Sequence, residues 1–145
     1  MRVKKRIQVA LAGILFGLSM PHAMADVVLI VSAKSPVGAL RPEQVSDIFL
    51  GKVSTFPARG GEAVPLDQQE DSAIREEFYS KLTGKSLSLL KAYWSKLIFA
   101  GKGQPPREVP SGDVVKKLVA DNPKYIGYID SHAVDDSVKA VLVLR

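Results

Sequence analysis

The sequence feature that most constrains the fold is the stretch from Val64 to Phe78, which predicts a strand, a polar loop and a helix in succession. Val64 to Leu66 form a short apolar run. Ile74, Phe78 and Leu82 then recur every fourth residue, which is the spacing of one face of a helix. Apolar strands and amphipathic helices alternate along the rest of the chain, so the sequence predicts one α/β structure around a small sheet.

The start of this helix is a candidate anion site. Asp71 and Ser72 are both favourable N-cap residues. Unpaired backbone N–H groups and the positive end of the helix dipole meet at such a terminus, where a small anion can bind. Ser72 would add a hydroxyl group, and Arg75 would add a planar cation that pairs well with oxyanions.

A purely structural interpretation of the same residues stays open. In that interpretation Ser72 only caps the helix, and Arg75 pairs with Glu70 or Glu76 at the surface. Capping serines are commoner than ligand serines, which favours this interpretation from local sequence alone. Glu70 and Asp71 also count against a bound anion, because they place negative charge beside it.

The other elements are predicted from apolar spacing and from capping residues. Strands are predicted at 27–31, 64–66, 125–129 and 138–144, and helices at 42–50, 73–82, 86–99 and 113–120. The run 101–107 is predicted to be a basic loop, in which Lys102 and Arg107 can meet an anionic ligand or a partner. Ser32 ends the first strand and is a further candidate contact, because ligands of open α/β sheets collect at the carboxyl ends of strands.

The first 25 residues predict a secretory signal peptide. Four basic residues within positions 2–6 precede the uncharged apolar run from Ile7 to Leu18, and Ala23-Met24-Ala25 is a small-x-small cleavage site. We therefore expect cleavage after Ala25 and a periplasmic protein with a single domain, 26–145. No later apolar run is long enough to span a membrane.

Charge and composition argue against several classes of function. Four of the 20 basic residues lie in the first 25 positions and none of the 15 acidic residues does, so 26–145 carries 16 basic and 15 acidic residues, a net charge of +1. This balance gives no support to nucleic-acid binding. His132 is the only histidine after position 25 and the chain has no cysteine, which leaves too few ligands for a zinc site of the His/Cys type. Neither a nucleophile motif nor a marked carboxylate pair is present, so we expect no catalytic residues, no cofactor and no enzyme.

Four segments together resemble the periplasmic substrate-binding proteins of phosphate ABC transporters. These segments are Val31-Ser32 with Ser35-Pro36-Val37, QVSDIFLGK at 44–52, VPLDQQEDSAIREEF at 64–78, and Asn122-Pro123 followed by YIGYID and VKAVLVL. The chain is most similar to the short, single-lobe, periplasmic-binding-protein-like (PBP-like) proteins that are grouped with this family. The resemblance implies one lobe of a type 2 periplasmic binding protein, with a small mixed sheet flanked by about four helices.

The resemblance also implies a ligand site. In that family the loop before the helix typically reads G-S-G-T-R, and its Ser, its small residue and its Thr bind phosphate at the helix N-terminus. The matching run here is DSAIR at 71–75, which carries the site over to Ser72, Ala73 and Arg75, with Ser32 nearby. Ile74 replaces the Thr, and the chain has no room for the loop that forms the other half of the family's clamp.

Two functions of different classes follow from the sequence. The first is a periplasmic solute-binding protein of the phosphate ABC transporter type. It would bind phosphate or a similar oxyanion and work with an ABC transporter permease or another membrane protein. The alternative is a periplasmic interaction or sensory accessory protein that keeps the fold and binds no small solute.

Overall fold

The computed structural model describes residues 26–145, so the predicted signal peptide lies outside the described residues. In chain order the elements are β1 (Val27–Ser32), α1 (Pro42–Phe49), β2 (Val64–Gln68), α2 (Ala73–Thr83), α3 (Leu87–Phe99), β3 (Arg107–Val109), α4 (Gly112–Asp121), β4 (Tyr125–Asp130), a 3₁₀ turn (Ser131–Ala133) and β5 (Val138–Leu144). All eight predicted helices and strands are confirmed, with ends that differ by two residues at most. The prediction of a loop that includes Arg107 is wrong, because β3 begins there; this strand has only three residues, two of them exposed, and offers no periodicity to detect.

The five strands form one mixed sheet in the order β3-β2-β4-β1-β5. β2 pairs in parallel with β3 and β4, whereas β1 lies antiparallel to both β4 and β5. The carboxyl ends of β2, β3 and β4 therefore meet at one edge of the sheet, which we call the carboxyl edge. β1 begins at that edge and ends at the opposite one, since Val27 pairs with Asp130 and Ser32 pairs with Val138.

Both faces of the sheet are covered by helices. Side chains of β1 alternate between two apolar clusters, as successive residues of a strand must. Val27, Leu29 and Val31 join the cluster that also holds residues of α1, α2 and α3. Val28 and Ile30 join the second cluster, which contains residues of α4. β1 is therefore buried on both faces of the sheet.

An aromatic cluster packs α1 and α2 against the sheet. The ring of Phe78 stacks on Tyr128 with 3.9 Å between the centroids, and it meets Phe49 and Tyr79 edge-on at 4.8 Å each. Phe78 is fully buried, as the spacing of the α2 face predicts, whereas Ile74 is only half-buried. Phe78 is thus the central contact between α2, α1 and β4.

On the other face, Gly127 of β4 lets α4 lie close to the sheet. A Cβ atom at this position would lie only 2.3 Å from Cγ1 of Val115 on α4, which is far inside van der Waals contact. Glycine at this position thus permits the close approach of α4 to the strand.

Truncation of Phe78 tests the packing of α2. We expect Phe78→Ala to lower the free energy of unfolding by about 3–5 kcal/mol, because it removes a fully buried ring at the centre of a cluster. The matched control is Leu89→Ala on α3, whose side chain is 59% exposed and should change stability by about 0.5 kcal/mol or less. Urea unfolding of both variants is the measurement, and an unchanged midpoint for Phe78→Ala would contradict the packing described here.

Candidate functional site

The carboxylate of Asp67, near the end of β2, is buried and has four hydrogen-bond donors. The Tyr79 hydroxyl donates to Oδ2 at 2.8 Å, and Nε of Arg75 donates to the same oxygen at 3.3 Å. The Tyr128 hydroxyl donates to Oδ1 at 2.5 Å, and the backbone N–H of Gln68 donates to it at 2.8 Å. Both oxygens are thereby satisfied, which is what allows a charged group to be buried here.

The charges around Asp67 shift the protonation equilibria of its partners. Burial of Arg75 disfavours its charged form, but the negative charge and hydrogen bond of Asp67 outweigh burial and raise the pKa of the guanidinium. Burial, followed by the negative charge of Asp67, raises the pKa of both Tyr79 and Tyr128, so these phenols stay protonated donors. The guanidinium carbon also lies 5.3 Å from the centroid of the Tyr79 ring, a cation–π distance.

Gln68 connects this network to the start of α2. Its Nε2 donates to the carbonyl of Tyr128 at 2.9 Å, and its Oε1 accepts the hydroxyl of Ser72 at 3.2 Å. Ser72 occupies the N-cap position, but its side chain accepts no backbone N–H of α2. The prediction that this hydroxyl caps the helix is therefore wrong, because Gln68 offers an acceptor that draws it away from the helix.

The first N–H groups of α2 are left free for other acceptors. Within residues 26–145, neither backbone nor side-chain atoms accept a hydrogen bond from the N–H of Ala73 or of Ile74. Such groups at a helix N-terminus point along the axis and carry the positive end of the dipole. This arrangement suits a small anion, as the sequence predicts.

The surroundings of this terminus are less favourable to anions. A hollow of about 350 Å³ at the carboxyl edge is lined by Gln68, Ile74, the first turn of α4 and the loop after β4. Ser111 already caps α4 by accepting the N–H of Val114. Asp113 and Asp130 also line the hollow, and their carboxylates oppose a bound anion.

The structure brings together three of the four residues predicted for the site. Ser72, Ala73 and Arg75 lie at the N-cap and in the first turn of α2. The expectation that Ser32 shares their edge is wrong, because β1 runs antiparallel and carries it to the opposite edge. There its fully buried hydroxyl donates to the carbonyl of Ala120 at 3.2 Å.

The predicted surface partners of Arg75 are also wrong. It pairs with neither Glu70 nor Glu76 but with Asp67, and its side chain is only 11% exposed. Sequence reasoning missed this pair because it ended β2 at Leu66 and placed Asp67 in the loop. An acidic residue directly after an apolar strand, eight positions before an arginine, was the available signal.

Comparisons with solved structures show which proteins share this fold. No protein-family model matches the sequence. A phosphate ABC transporter substrate-binding protein from Clostridium perfringens, crystallised with bound phosphate, superposes with a TM-score of 0.64 and 27% identity over 81% of this chain and 44% of its own. An ABC-type phosphate transport receptor from Vibrio cholerae has a TM-score of 0.63 and 25% identity over 81% of this chain and 45% of its own. PstS from Borrelia burgdorferi, at 14% identity and a TM-score of 0.60, bears on the fold alone.

The structural neighbours are phosphate ABC transporter substrate-binding proteins. This result confirms the resemblance and the predicted PBP-like fold, a mixed sheet with four helices that is similar to one lobe of such proteins. The chain spans less than half the length of these neighbours. The neighbours are transport proteins rather than enzymes, and no helix within 26–145 is long and apolar enough to cross a membrane.

Breaking the buried ion pair tests the role of Arg75 in the fold. We expect Arg75→Met to lower the free energy of unfolding by about 3–5 kcal/mol, because it leaves the buried Asp67 without its cation. The control is Lys81→Met, which removes a more exposed i, i+4 pair with Glu77 and should cost about 0.5 kcal/mol or less. Asp67→Asn combined with Arg75→Met should cost less than the two single changes added together. Urea unfolding of the four variants is the measurement, and equal losses for Arg75→Met and Lys81→Met would contradict a structural role.

Proposed function

We propose that this protein is a periplasmic solute-binding protein of the phosphate ABC transporter type, with a PBP-like fold, and that it binds phosphate or a similar oxyanion at the N-terminus of α2. The observation that carries the proposal is the pair of free N–H groups, on Ala73 and Ile74, near the carboxyl edge of the sheet. The likeness to a protein with bound phosphate, at 27% identity, supports the same ligand class.

Each group at this terminus has a definite role in the proposal. The N–H groups of Ala73 and Ile74 donate to the oxyanion, which also interacts with the helix dipole. The Ser72 hydroxyl turns from Gln68 towards the anion and donates a third hydrogen bond. Arg75 adds positive charge to the same turn of α2, while its Nε holds Asp67 and fixes the end of β2.

We expect this binding to be weak. The hollow beside α2 is open to water, so electrostatic attraction there is screened. Asp113 and Asp130 in that hollow add repulsion. The expected affinity is therefore in the micromolar to millimolar range, which corresponds to about 4–8 kcal/mol.

Ala73→Pro tests the site with little disturbance of the helix. Position 73 is the first residue of α2, where proline is tolerated, and Ser72 before it already has the extended backbone that proline requires (φ −71°, ψ 119°). The change deletes a proposed donor, so phosphate binding should weaken by about tenfold, as expected for a charge-assisted hydrogen bond. Ala73→Ser keeps the N–H and should bind like the wild type.

Phosphate and sulfate titrations, followed by calorimetry and by the amide shifts of residues 72–75, are the measurement. Ser72→Ala should also weaken binding, whereas Ser86→Ala removes the N-cap of α3 and should lower stability without affecting binding. If millimolar phosphate produces neither heat nor shifts in the folded wild-type protein, the oxyanion proposal is wrong.

A second function is favoured by the carboxylates at the carboxyl edge. Asp113 and Asp130 line the hollow, and Glu70 and Asp71 are exposed in the loop before α2. A surface with this charge is suited to a periplasmic interaction or sensory accessory protein that keeps the PBP-like fold without a small solute. A folded wild-type protein that binds no oxyanion would support this alternative over the first.

Export is a separate part of the proposal. We expect the protein recovered from the periplasm to begin at Asp26, because the basic start, the apolar run and the Ala-Met-Ala site together predict cleavage after Ala25. Mass spectrometry of the exported protein measures this directly. A protein that still begins at Met1 would contradict the prediction, and Ala25→Arg at the cleavage site should block processing.

A further inference from the structure

A second cavity lies on the other side of the first turn of α2, between α2, α3 and the edge strand β3. Its volume is about 350 Å³, within the range of roughly 300–1,000 Å³ that is usual for small-molecule sites. Arg75 and Lys91 line it with positive charge, and Glu70 and Glu108 line it with negative charge. The hollow at the α2 N-terminus shares none of these four residues, so the two spaces are distinct.

The apolar part of this cavity comes from α3. Leu87, Leu90, Trp94 and Ile98 recur along one side of the helix and line the cavity. Leu90 and Trp94 are almost completely buried, at 1% and 6% exposure, so they form a fixed apolar floor. An apolar group of a ligand would be taken out of water against this floor.

Arg75 supplies the fixed cation. Its side chain is nine-tenths buried and held by Asp67 through Nε, which is its only hydrogen-bonded nitrogen within residues 26–145. Its terminal amino groups are therefore available, and their planar geometry matches a carboxylate. Lys91 of α3 forms no ion pair with any residue of 26–145, and it also lines the cavity.

The negative charges of Glu70 and Glu108 disfavour a ligand that carries only negative charge. Glu70 and Glu108 are exposed, and neither forms an ion pair within the part of the chain that the structure describes. Their charges would repel a second negative group and attract a cationic one. The cavity therefore combines a place for a carboxylate, a place for an ammonium group and an apolar floor.

We propose that this cavity binds a small zwitterion with an apolar body, namely a free α-amino acid with an aliphatic side chain. Arg75 and Lys91 receive the carboxylate, Glu70 and Glu108 receive the ammonium group, and Trp94 contacts the side chain. This site is additional to the proposed oxyanion site. The two sites share only the charge of Arg75, and neither proposal depends on the other.

Trp94 is the only tryptophan in the sequence and it lines this cavity, so its fluorescence is a probe of binding here. It also borders a neighbouring hollow near Pro65 and Gln104, so the variants described next locate the binding. The probes are L-leucine, L-isoleucine and L-methionine, the singly charged analogues 4-methylpentanoate and 3-methylbutylamine, and inorganic phosphate. We expect at least one of the amino acids to change the emission of Trp94 in a saturable way. Each singly charged analogue should bind at least about tenfold more weakly, since it loses one charge-assisted contact. Phosphate should leave the emission unchanged.

Matched variants locate the binding. Lys91→Met should weaken amino-acid binding by about fivefold, which is the effect of removing one exposed charge. Lys96→Met changes a lysine of the same helix that does not line the cavity, and it should bind like the wild type. Glu70→Gln should weaken binding of the amino acid but not of 4-methylpentanoate, and Glu76→Gln is its control.

Three results would overturn the proposal. The first is no change in Trp94 emission with any of the three amino acids at millimolar concentration. The second is equal binding of the amino acid and 4-methylpentanoate, which would show that the ammonium group is not recognised. The third is equal weakening by Lys91→Met and Lys96→Met. None of these results bears on the amide shifts of residues 72–75 with phosphate, so the two proposals fail separately.

Discussion

The rest of the structure depends on the hydrogen bonds and the ion pair that the buried carboxylate of Asp67 makes. An isolated charge is costly to bury, and here the cost is offset by four donors that come from three elements. Tyr128 ties β2 to β4, while Arg75 and Tyr79 tie β2 to α2. The end of β2 and the first turn of α2 are consequently held in one arrangement. The geometry of both proposed ligand sites follows from that arrangement.

The first turn of α2 divides the surface into two regions with different chemistry. One side presents backbone N–H groups near the hollow at the carboxyl edge. On the other side, Arg75 lines the cavity between α2, α3 and β3. Arg75 therefore has two roles, since its Nε stabilises the fold and its terminal amino groups remain available. Carboxylates lie near each positive region, so we expect each proposed site to discriminate between ligands by their charge.

Most helices and strands were predictable because they depend on local patterns. The helical spacing of apolar residues in α2 and the continuous apolar run in β1 indicate which faces of these elements are buried. These patterns do not depend on which element packs against each face. β3 was not predictable, because a three-residue edge strand with two exposed side chains has no such pattern. The helix N-terminus at Ser72 was predictable for the same local reason, but the partner of the Ser72 hydroxyl was not.

The sequence by itself determined the α/β class, the order of every element except β3, and the position of a helix N-terminus at Ser72. Only the tertiary structure decided that the Ser72 hydroxyl turns to Gln68 and leaves the first N–H groups of this helix without an acceptor within residues 26–145. Only the tertiary structure decided the direction of β1, which places Ser32 at the opposite edge from Ser72. It also decided the burial of Arg75, whose partner Asp67 is held by Tyr128 from 61 positions away in the sequence. The physical reason is that periodicity records the burial of one element at a time. Strand direction and the partners of buried charges depend instead on which distant elements pack together.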